Sequence, residues 1–471
     1  MSDRDPDPPP EIEPMAPLSF LDRDHSIADV NFSRWLVPPA ALAIHLSIGQ
    51  AYAFSVFNLP LSRAVGITTS APDDWKLSTI GWVFSIAIVF LGLSAAVFGA
   101  WLERVGPRKA MFASAVCFGG GFQVAALGVA THQFWLLLLG YGVLGGIGLG
   151  LGYISPVSTL IKWFPDRPGM ATGMAIMGFG GGAMIASPLS TMLMAHFRTP
   201  SSQGVARTFV VMGAIYFAFM MFGVFSVRVP RPGWKPAGWI PTAAHRLVTT
   251  SGLTADRAIT TPQFWLLWMV LCLNVTAGIG VLGQASPMIQ EMFPGAITPS
   301  AAAGFVGLLS LANMIGRFFW SSLSDYLGRR MVYATFFLLG AVLYATVPAT
   351  GHAGKVALFV LGYVIIISMY GGGFATIPAY LRDMFGTVQV GAIHGRLLTA
   401  WSTAGVLGPV LVNYIREYEI AHGVAKADAY TTTMHIMAGL LVVGFICNWR
   451  MSPVDTRKFV SDDAPAARAS A

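Results

Sequence analysis

Residues 99–109 read GAWLERVGPRK, and residues 321–331 read SSLSDYLGRRM. Both stretches follow a long apolar run, and both place an acidic residue three positions before a glycine that two basic residues closely follow. The acidic residues, Glu103 and Asp325, lie 222 positions apart, and the two glycines lie the same distance apart. Two loops of one pattern, each behind an apolar run, indicate that one structural unit occurs twice in the chain.

The spacing of 222 positions also relates Pro156 in GYISPVSTL to Pro378 in GFATIPAYL. One spacing recovered from two separate motifs supports a duplication of a whole structural unit. Paired halves with a binding site between them near the middle of the membrane are an architecture of secondary transporters. We therefore predict two pseudo-symmetric halves.

The composition is that of an integral membrane protein. Of 471 residues, 55% are hydrophobic and only 11% are charged, and the mean hydropathy is +0.63. Soluble domains carry about 25% charged residues. The 52 glycines fit helices that pack closely through small residues. The three cysteines lie in apolar runs without metal-ligand spacing, so we expect neither a metal nor a cofactor.

Apolar runs long enough for a membrane-spanning helix, about 20 residues, occur twelve times. We predict an all-α membrane protein with twelve transmembrane helices, arranged as two pseudo-symmetric six-helix bundles. The predicted spans are 35–61, 78–102, 109–131, 133–162, 169–195, 207–228, 263–292, 300–324, 331–350, 356–382, 391–415 and 430–449.

The polar, Pro-rich segment between the sixth and seventh runs divides the chain. We predict a disordered cytoplasmic tail over residues 1–34, because this stretch is acidic and rich in proline and lacks the apolar segment of a signal peptide. The N-terminal bundle is predicted at 35–228, a cytoplasmic linker at 229–262, the C-terminal bundle at 263–450 and a cytoplasmic tail at 451–471.

The distribution of Lys and Arg predicts the orientation. With both termini in the cytoplasm, the cytoplasmic segments hold 20 of the 29 basic residues, as the positive-inside rule requires. We therefore expect a multi-pass protein of the inner (cytoplasmic) membrane with both termini cytoplasmic. The net charge of +7 is then a feature of membrane topology rather than of nucleic-acid binding.

The loop after the second run resembles the signature of the major facilitator superfamily. The residues that match this signature are Gly99, Glu103, Arg104, Gly106, Arg108 and Lys109. A weaker echo follows the eighth run, with Ser321 in the position of the first glycine; it consists of Asp325, Gly328, Arg329 and Arg330. The resemblance implies the major facilitator fold. We expect both clusters to form a conformational latch between the two halves, although a signal for topology alone is the simpler alternative.

Within that superfamily, three stretches are similar to the oxalate/formate antiporter family, a relative of the monocarboxylate porters. They are residues 48–61, 148–183 and 370–386. The resemblance implies transport of small carboxylates. It also places Arg317 where these families carry a substrate-binding arginine. The lysine expected in the eleventh helix of the oxalate transporter falls here at Trp401.

Arg317 lies deep in the apolar stretch LLSLANMIGRFFWSSLSDYLGRR, residues 308–330. A charge at mid-membrane costs a few kcal/mol, so it faces a cavity or a partner. None of the 22 acidic residues is predicted at mid-depth in a span. A guanidinium matches a carboxylate through two hydrogen bonds. We therefore favour a substrate carboxylate as its partner over a structural ion pair.

Several neighbours could complete the substrate site. Asn313 lies one helical turn before Arg317, where it could orient Arg317 or contact the substrate. The tyrosines predicted to line the cavity lie beside small residues in spans one, four and ten, and each could instead be a packing residue; they are Tyr52, Tyr153 and Tyr370. Trp401 is a candidate cavity wall.

Three further polar residues lie within predicted spans. His45 is a candidate for proton coupling, although a neutral, hydrogen-bonded imidazole is the simpler interpretation. Arg396 and its neighbour His394 are candidates for a gate or a second cation. Arg396 is also close enough to the end of its span to reach the membrane surface.

The sequence favours a secondary transporter over other classes. It contains no catalytic triad, zinc-protease motif or pair of carboxylates within a span, so we expect no enzyme. A non-transporting membrane sensor is a further alternative. We expect the functional protein to be a monomer in the lipid bilayer, exchanging small carboxylates or carrying monocarboxylates with protons.

Overall fold

The computed structural model describes residues 20–240 and 251–461. Within these ranges, twelve helices are long and apolar enough to cross a membrane, which confirms the predicted number of spans. We label them α1 to α12. Their bounds are Val37–Ile48, continued by a 3₁₀ segment Gly49–Phe57 and a turn Asn58–Leu61 (α1), Leu77–Val105 (α2), Pro107–Ala130 (α3), Phe134–Leu137, a π-helical stretch Leu138–Leu144 and Gly145–Trp163 (α4), Pro168–Phe197 (α5), Val205–Ser226 (α6), Pro262–Met292 (α7), Pro299–Leu327 (α8), Arg329–His352 (α9), Val356–Phe385 (α10), Val390–Leu397 and Thr399–Ala421 (α11), and Thr431–Trp449 (α12).

The duplication seen in the sequence extends to the helix bounds. α8 begins and ends 222 positions after α2, and α9 begins and ends 222 positions after α3. The same shift relates α10 to α4 at both ends. The tight turns after α2 and α8 are also equivalent, because Gly106 and Gly328 both adopt φ of 85°, which favours glycine. The fold is therefore two copies of one six-helix unit.

The two halves meet along two helix pairs, α2 with α11 and α5 with α8. Small residues allow the backbones to come close: a Cβ atom on Gly395 would collide with the carbonyl oxygen of Ala95. Hydroxyl groups also donate across the interface, from Thr172 to the carbonyl of Ala375 at 2.7 Å. Small residues such as Gly395 thus serve close packing of helices across the interface.

Three of the helices that surround the interface are irregular. α1 tightens into the 3₁₀ segment Gly49–Phe57, and α4 widens into the π-helical stretch Leu138–Leu144. α11 is interrupted at Leu398, between its shorter first part and its longer second part. Such departures from α-helical geometry often mark hinges in functional proteins. They place candidate hinges in helices that contribute to the interface.

We call the end of the molecule that carries Glu103 and Asp325 the charged end. The chain before α1 is packed here, in contrast to the disordered tail expected over 1–34. Arg108 donates to the carbonyl oxygens of Phe20 at 2.9 Å, His25 at 3.1 Å and Val227 at 3.2 Å. This buried guanidinium binds the segment from residue 20 to the ends of α3 and α6. Residues 1–19 of the expected tail lie outside the described part.

The linker and the C-terminal tail also meet at the charged end. Strand β1, Ser251–Gly252, pairs antiparallel with strand β2, Val460–Ser461. A short helix, Ala255–Ala258, then leads into α7. The backbone N–H of Leu253 donates to the carbonyl of Phe385, at the end of α10, at 2.8 Å. Residues 241–250 of the linker and 462–471 of the tail lie outside the described ranges.

Candidate functional site

Arg317 is fully buried at the interface between the halves. Its Nε donates to Oδ1 of Asn313, one turn earlier on α8, at 3.0 Å. Its Nη1 donates to the carbonyl oxygen of Ile176, on α5 of the other half, at 3.3 Å. The guanidinium carbon lies 5.5 Å from the ring centre of Phe179 and 5.3 Å from that of Phe374. The cation is thus held by one amide, one carbonyl and two aromatic faces.

The ion pairs of the described residues all lie elsewhere, so Arg317 has no carboxylate partner within residues 20–240 and 251–461. Its Nη2 makes no hydrogen bond. A buried, permanently charged donor without an acceptor is costly in a folded protein. The arrangement therefore offers one free face of the guanidinium to an anion.

Trp401 lies at the centre of an aromatic cluster around this guanidinium. Its ring centre is 4.4 Å from that of Phe374, 5.3 Å from Tyr153, 5.4 Å from Phe179 and 6.5 Å from Tyr52. The cluster draws on both halves of the protein. The predicted neighbours Tyr153 and Trp401 are thereby brought together with Arg317.

Two more buried groups in the cluster can donate a hydrogen bond and have no acceptor, the hydroxyl of Tyr153 and Nε1 of Trp401. The hydroxyls of Tyr52 and Tyr153 both lie within interaction range of Arg317. Nη2 of Arg317, the hydroxyl of Tyr153 and Nε1 of Trp401 can each donate a hydrogen bond, and no acidic residue of the described chain lies beside them. Together they form a site rich in hydrogen-bond donors. Its chemistry suits an acceptor such as a carboxylate, which takes hydrogen bonds at both oxygens.

Tyr52 on α1 and Tyr370 on α10 connect the two halves at the depth of the aromatic cluster. Their hydroxyl oxygens are 3.1 Å apart, and the ring of Tyr52 contacts the ring of Phe179 edge-on. Ser402 on α11 also donates to the carbonyl of Ile88 on α2 at 2.9 Å. The interface is therefore closed from the charged end to the depth of the tyrosine pair, and Arg317 is shielded from water in this conformation.

His45 and His394 lie on the charged-end side of the cluster. The Nδ1 atom of His45 is 2.6 Å from the carbonyl oxygen of Ala175, and its Nε2 atom is 3.3 Å from that of Tyr153. Both imidazoles contact the ring of Tyr153, with ring centres 5.4 Å and 5.8 Å away. Nε2 of His394 has no hydrogen-bond partner. Two histidines, one from each half, are thus brought to one tyrosine.

Arg396 is not brought to the Arg317 site. Its guanidinium forms an ion pair with Asp256 of the short linker helix. The carboxylate is exposed, so this pair lies at the surface of the charged end. The geometry agrees with the alternative of an arginine that reaches the membrane surface, rather than with a second cation beside the substrate.

Two residues of the expected latch, Glu103 and Asp325, are carboxylates that bind helix N-termini across the interface. Oε1 of Glu103 accepts from the backbone N–H of Gly391, at the start of α11, at 2.9 Å. The carboxylate of Asp325 accepts from Gly169 at 2.9 Å and from Met170 at 2.8 Å, at the start of α5. Helix N-termini favour negative charge, so each contact holds the halves together at the charged end.

The basic residues of the two loops do not cross the interface. Arg329 pairs with Asp325 and Asp383 of its own half, and Arg330 lies over the ring of Trp449, also in its own half. Arg108 and Lys109 bind the segment before α1, and Arg104 is exposed. Of the seven residues expected to form the latch, two carboxylates therefore bridge the halves, while the cations with described partners, Arg108, Lys109, Arg329 and Arg330, find them in their own half.

Two aromatic residues of the site were absent from the sequence prediction. Phe374 lies four positions after Tyr370, and therefore on the same face of α10. Phe179 is in the run GFGGGA, which the sequence indicated only as a packing segment. The spacing of four residues from Tyr370 could have identified Phe374 from the sequence. Ile176 contributes only its carbonyl oxygen, which no side-chain pattern reveals.

Comparison with known proteins agrees with this architecture. The family model of the Major Facilitator Superfamily matches residues 32–409, with a second match over 296–468. A solved structure of the Escherichia coli fucose:proton symporter FucP superposes with a TM-score of 0.64 at 14% identity, covering 90% of this chain and 100% of that one. This likeness shows the fold.

Two curated proteins are similar over most of their length. The chain is 26% identical over 369 residues to the MFS-type transporter YhjX of Escherichia coli (strain K12), spanning 77% of this chain and 83% of that protein. It is 25% identical over 382 residues to the oxalate:formate antiporter of Oxalobacter formigenes, spanning 80% and 83%. The predicted resemblance to the superfamily and to this antiporter is confirmed.

Proposed function

Because the chain belongs to the major facilitator superfamily of secondary transporters, we propose that it carries small organic carboxylates by alternating access, most simply as an anion exchanger of the oxalate/formate type. The observation that carries this proposal is the buried guanidinium of Arg317, whose Nη2 has no partner. The unpartnered donors of Tyr153 and Trp401 lie in the same cluster. A carboxylate is the substrate group that satisfies such a set of donors.

The bare cation favours exchange over net transport. An empty transporter must pass through an occluded state with Arg317 unneutralised, and a charge at mid-membrane costs several kcal/mol. At about 1.4 kcal/mol per factor of ten, this penalty slows the empty return by on the order of a thousandfold. A bound carboxylate removes most of the penalty in both directions. Exchange of one carboxylate for another therefore becomes the fast cycle.

The number of cations at the site favours a monocarboxylate as the substrate. Arg317 is the cation of the aromatic cluster, Trp401 occupies the position of the second cation expected in the oxalate transporter, and Arg396 is paired with Asp256. One guanidinium balances one carboxylate, so formate or lactate suits the site better than oxalate. Proton-coupled symport of monocarboxylates is the second candidate, favoured by the buried His45.

The same proposal includes the orientation. The loops, the linker and the two terminal segments on the side of the charged end together hold 20 of the 29 Lys and Arg residues, which supports a cytoplasmic location for that end and for both termini. The conformation described here is then one in which the cytoplasmic side is closed. The protein acts as a monomer, since each chain contains both halves of the site.

Uptake into proteoliposomes tests the proposal. Purified protein is reconstituted, and uptake of labelled oxalate, formate and lactate is measured with and without the same anion inside. We expect at least one of these anions to be taken up, and the Arg317→Gln variant to lose this uptake. The matched control is Arg396→Gln, which removes the other arginine of a span and should retain uptake. Uptake by Arg317→Gln at the wild-type rate would overturn the assignment of the site.

A further inference from the structure

The two hydrogen-bond acceptors beside His45 suit a charged imidazole better than a neutral one. Nδ1 lies 2.6 Å from the carbonyl oxygen of Ala175 and Nε2 lies 3.3 Å from that of Tyr153. A neutral imidazole carries one N–H, so whichever nitrogen holds it, the other turns a lone pair toward a carbonyl oxygen. The imidazolium donates from both nitrogens and satisfies both carbonyls. The pair of acceptors on α4 and α5 is thus matched to the protonated ring.

The charges around His45 oppose its protonation while the site holds no anion. The titratable or charged side chains that face it are Tyr153 from α4, Arg317 from α8 and His394 from α11. No carboxylate of the described residues faces it. A second positive charge near a bare, buried guanidinium is repelled, and this repulsion is strong at low dielectric. The two carbonyl acceptors therefore favour the imidazolium, whereas burial away from water and, to a smaller extent, the neighbouring cation disfavour it.

A carboxylate at Arg317 shifts that balance toward the imidazolium. It neutralises the guanidinium and attracts the positive imidazole, so the anion and the proton each make the binding of the other more favourable. We propose that His45 takes up a proton together with the anion that binds at Arg317, which makes His45 the titratable second cation of the site. This inference rests on the proposed function. The affinity for the anion then falls as the pH rises and His45 loses its proton.

The charge of the substrate should set how strongly its binding depends on the protonation of His45. With His45 protonated, the site carries two positive charges, which one dicarboxylate balances and one monocarboxylate does not. Lower pH should therefore strengthen binding of oxalate more than binding of formate. The second cation that the oxalate-type relatives are expected to carry in the eleventh helix is supplied here from α1 when the ring is protonated.

Proton uptake on binding tests the inference directly. Oxalate and formate are titrated by calorimetry into wild-type protein in nanodiscs, between pH 5.5 and 8, in buffers of different ionisation enthalpy. Both anions stay ionised over this range, so any proton taken up goes to the protein. We expect about one proton per oxalate bound and an affinity that weakens by up to about tenfold per pH unit where His45 titrates.

Three variants locate the proton. His45→Gln should bind the anion without proton uptake and with an affinity independent of pH. His394→Gln removes the other histidine at Tyr153, and His435→Gln removes an exposed histidine of α12; both should take up the proton as the wild type does. If His45→Gln fails to fold, uptake retained in both other variants still excludes His394 and His435 as its carriers.

Each contrary result is distinct. Binding of either anion by the wild type without proton uptake would overturn the inference and leave the proposed function intact. Uptake that persists in His45→Gln but disappears in His394→Gln would assign the proton to His394 instead. If neither oxalate nor formate binds and uptake of lactate also fails, the proposed function itself is contradicted.

Discussion

Oε1 of Glu103, in the loop after α2, accepts a hydrogen bond from the backbone N–H of Gly391, at the start of α11 in the opposite half, at 2.9 Å. The duplicated unit repeats the contact: Asp325, 222 positions after Glu103, accepts from Gly169, 222 positions before Gly391. Both carboxylates are mostly buried. The two halves are thus closed at the charged end by a pair of equivalent contacts between a carboxylate and a helix N-terminus.

Removing the charge of these carboxylates should open the charged end. A carboxylate at a helix N-terminus is worth about 1 kcal/mol, and up to about 2 kcal/mol where it is partly buried. We expect Glu103→Gln or Asp325→Asn to shift the ratio of closed to open forms by roughly fivefold to thirtyfold. Spin labels attached at Arg104→Cys and Tyr326→Cys, both exposed at the charged end, would then lie farther apart, as measured by pulsed electron paramagnetic resonance.

The matched control is Lys109→Gln, which belongs to the same loop but pairs with Asp22 in its own half. It should leave the distance distribution unchanged. An equal shift in Lys109→Gln would mean that loop charge in general, rather than the carboxylate at the helix N-terminus, holds the halves closed.

Arg317→Lys should reduce transport by about a hundredfold while the protein still inserts in the membrane. A lysine keeps the charge but replaces the planar fork by a point charge, and it loses the contacts with Asn313 and Ile176. Initial rates of carboxylate uptake, normalised to the amount of protein in the membrane, measure the effect. Arg396→Lys is the control and should stay within about twofold of the wild type, because its surface ion pair contributes little.

Asn313→Asp should abolish anion uptake because it neutralises Arg317 rather than replacing it. The new carboxylate would lie where Oδ1 of Asn313 now accepts from Nε of Arg317 at 3.0 Å. An internal counter-ion at that distance neutralises the guanidinium, so the protein would supply the anion that the substrate otherwise provides. Asn313→Ala, which removes the contact without adding charge, should retain part of the uptake. Full uptake by Asn313→Asp would show that the substrate does not bind at Arg317.

Trp401→Lys should shift the preference from monocarboxylates toward dicarboxylates. Trp401 contacts Phe374, whose ring also lies against the guanidinium, so an ammonium group here would be a second cation close to the first. Competition of unlabelled oxalate and formate against labelled substrate gives the ratio of affinities. Trp401→Phe controls for loss of the indole. An unchanged ratio of affinities in Trp401→Lys would refute the idea that the number of cations at the site selects between mono- and dicarboxylates.

The number of spans could be predicted from the sequence because a membrane imposes about 20 apolar residues on every crossing. The duplication followed from one spacing shared by Glu103 and Asp325. Arg317 could be singled out because a cation in a long apolar run is rare, and Asn313 because residues four apart share a helix face. These are local properties of the chain.

What the sequence did not reveal depends on how distant segments meet. The partner of Glu103 across the interface is a backbone N–H almost 300 positions away, and backbone donors leave no pattern in the sequence. The sequence left Arg396 open between a gate residue and one that reaches the membrane surface, and only the docked linker shows that Asp256 pairs with it. The ordered segment from residue 20 likewise depends on Arg108, which binds its carbonyl groups from another helix.

The most direct test of the account is the effect of internal carboxylate on uptake. If Arg317 has no protein counter-ion, the empty carrier returns slowly and the loaded carrier returns fast. Proteoliposomes are prepared empty or preloaded with unlabelled carboxylate, without a pH gradient, and the initial uptake of the labelled carboxylate is measured. We predict at least about tenfold faster uptake into preloaded vesicles. Equal rates into empty and preloaded vesicles would contradict it, because the bare arginine would then cross between the two open states freely.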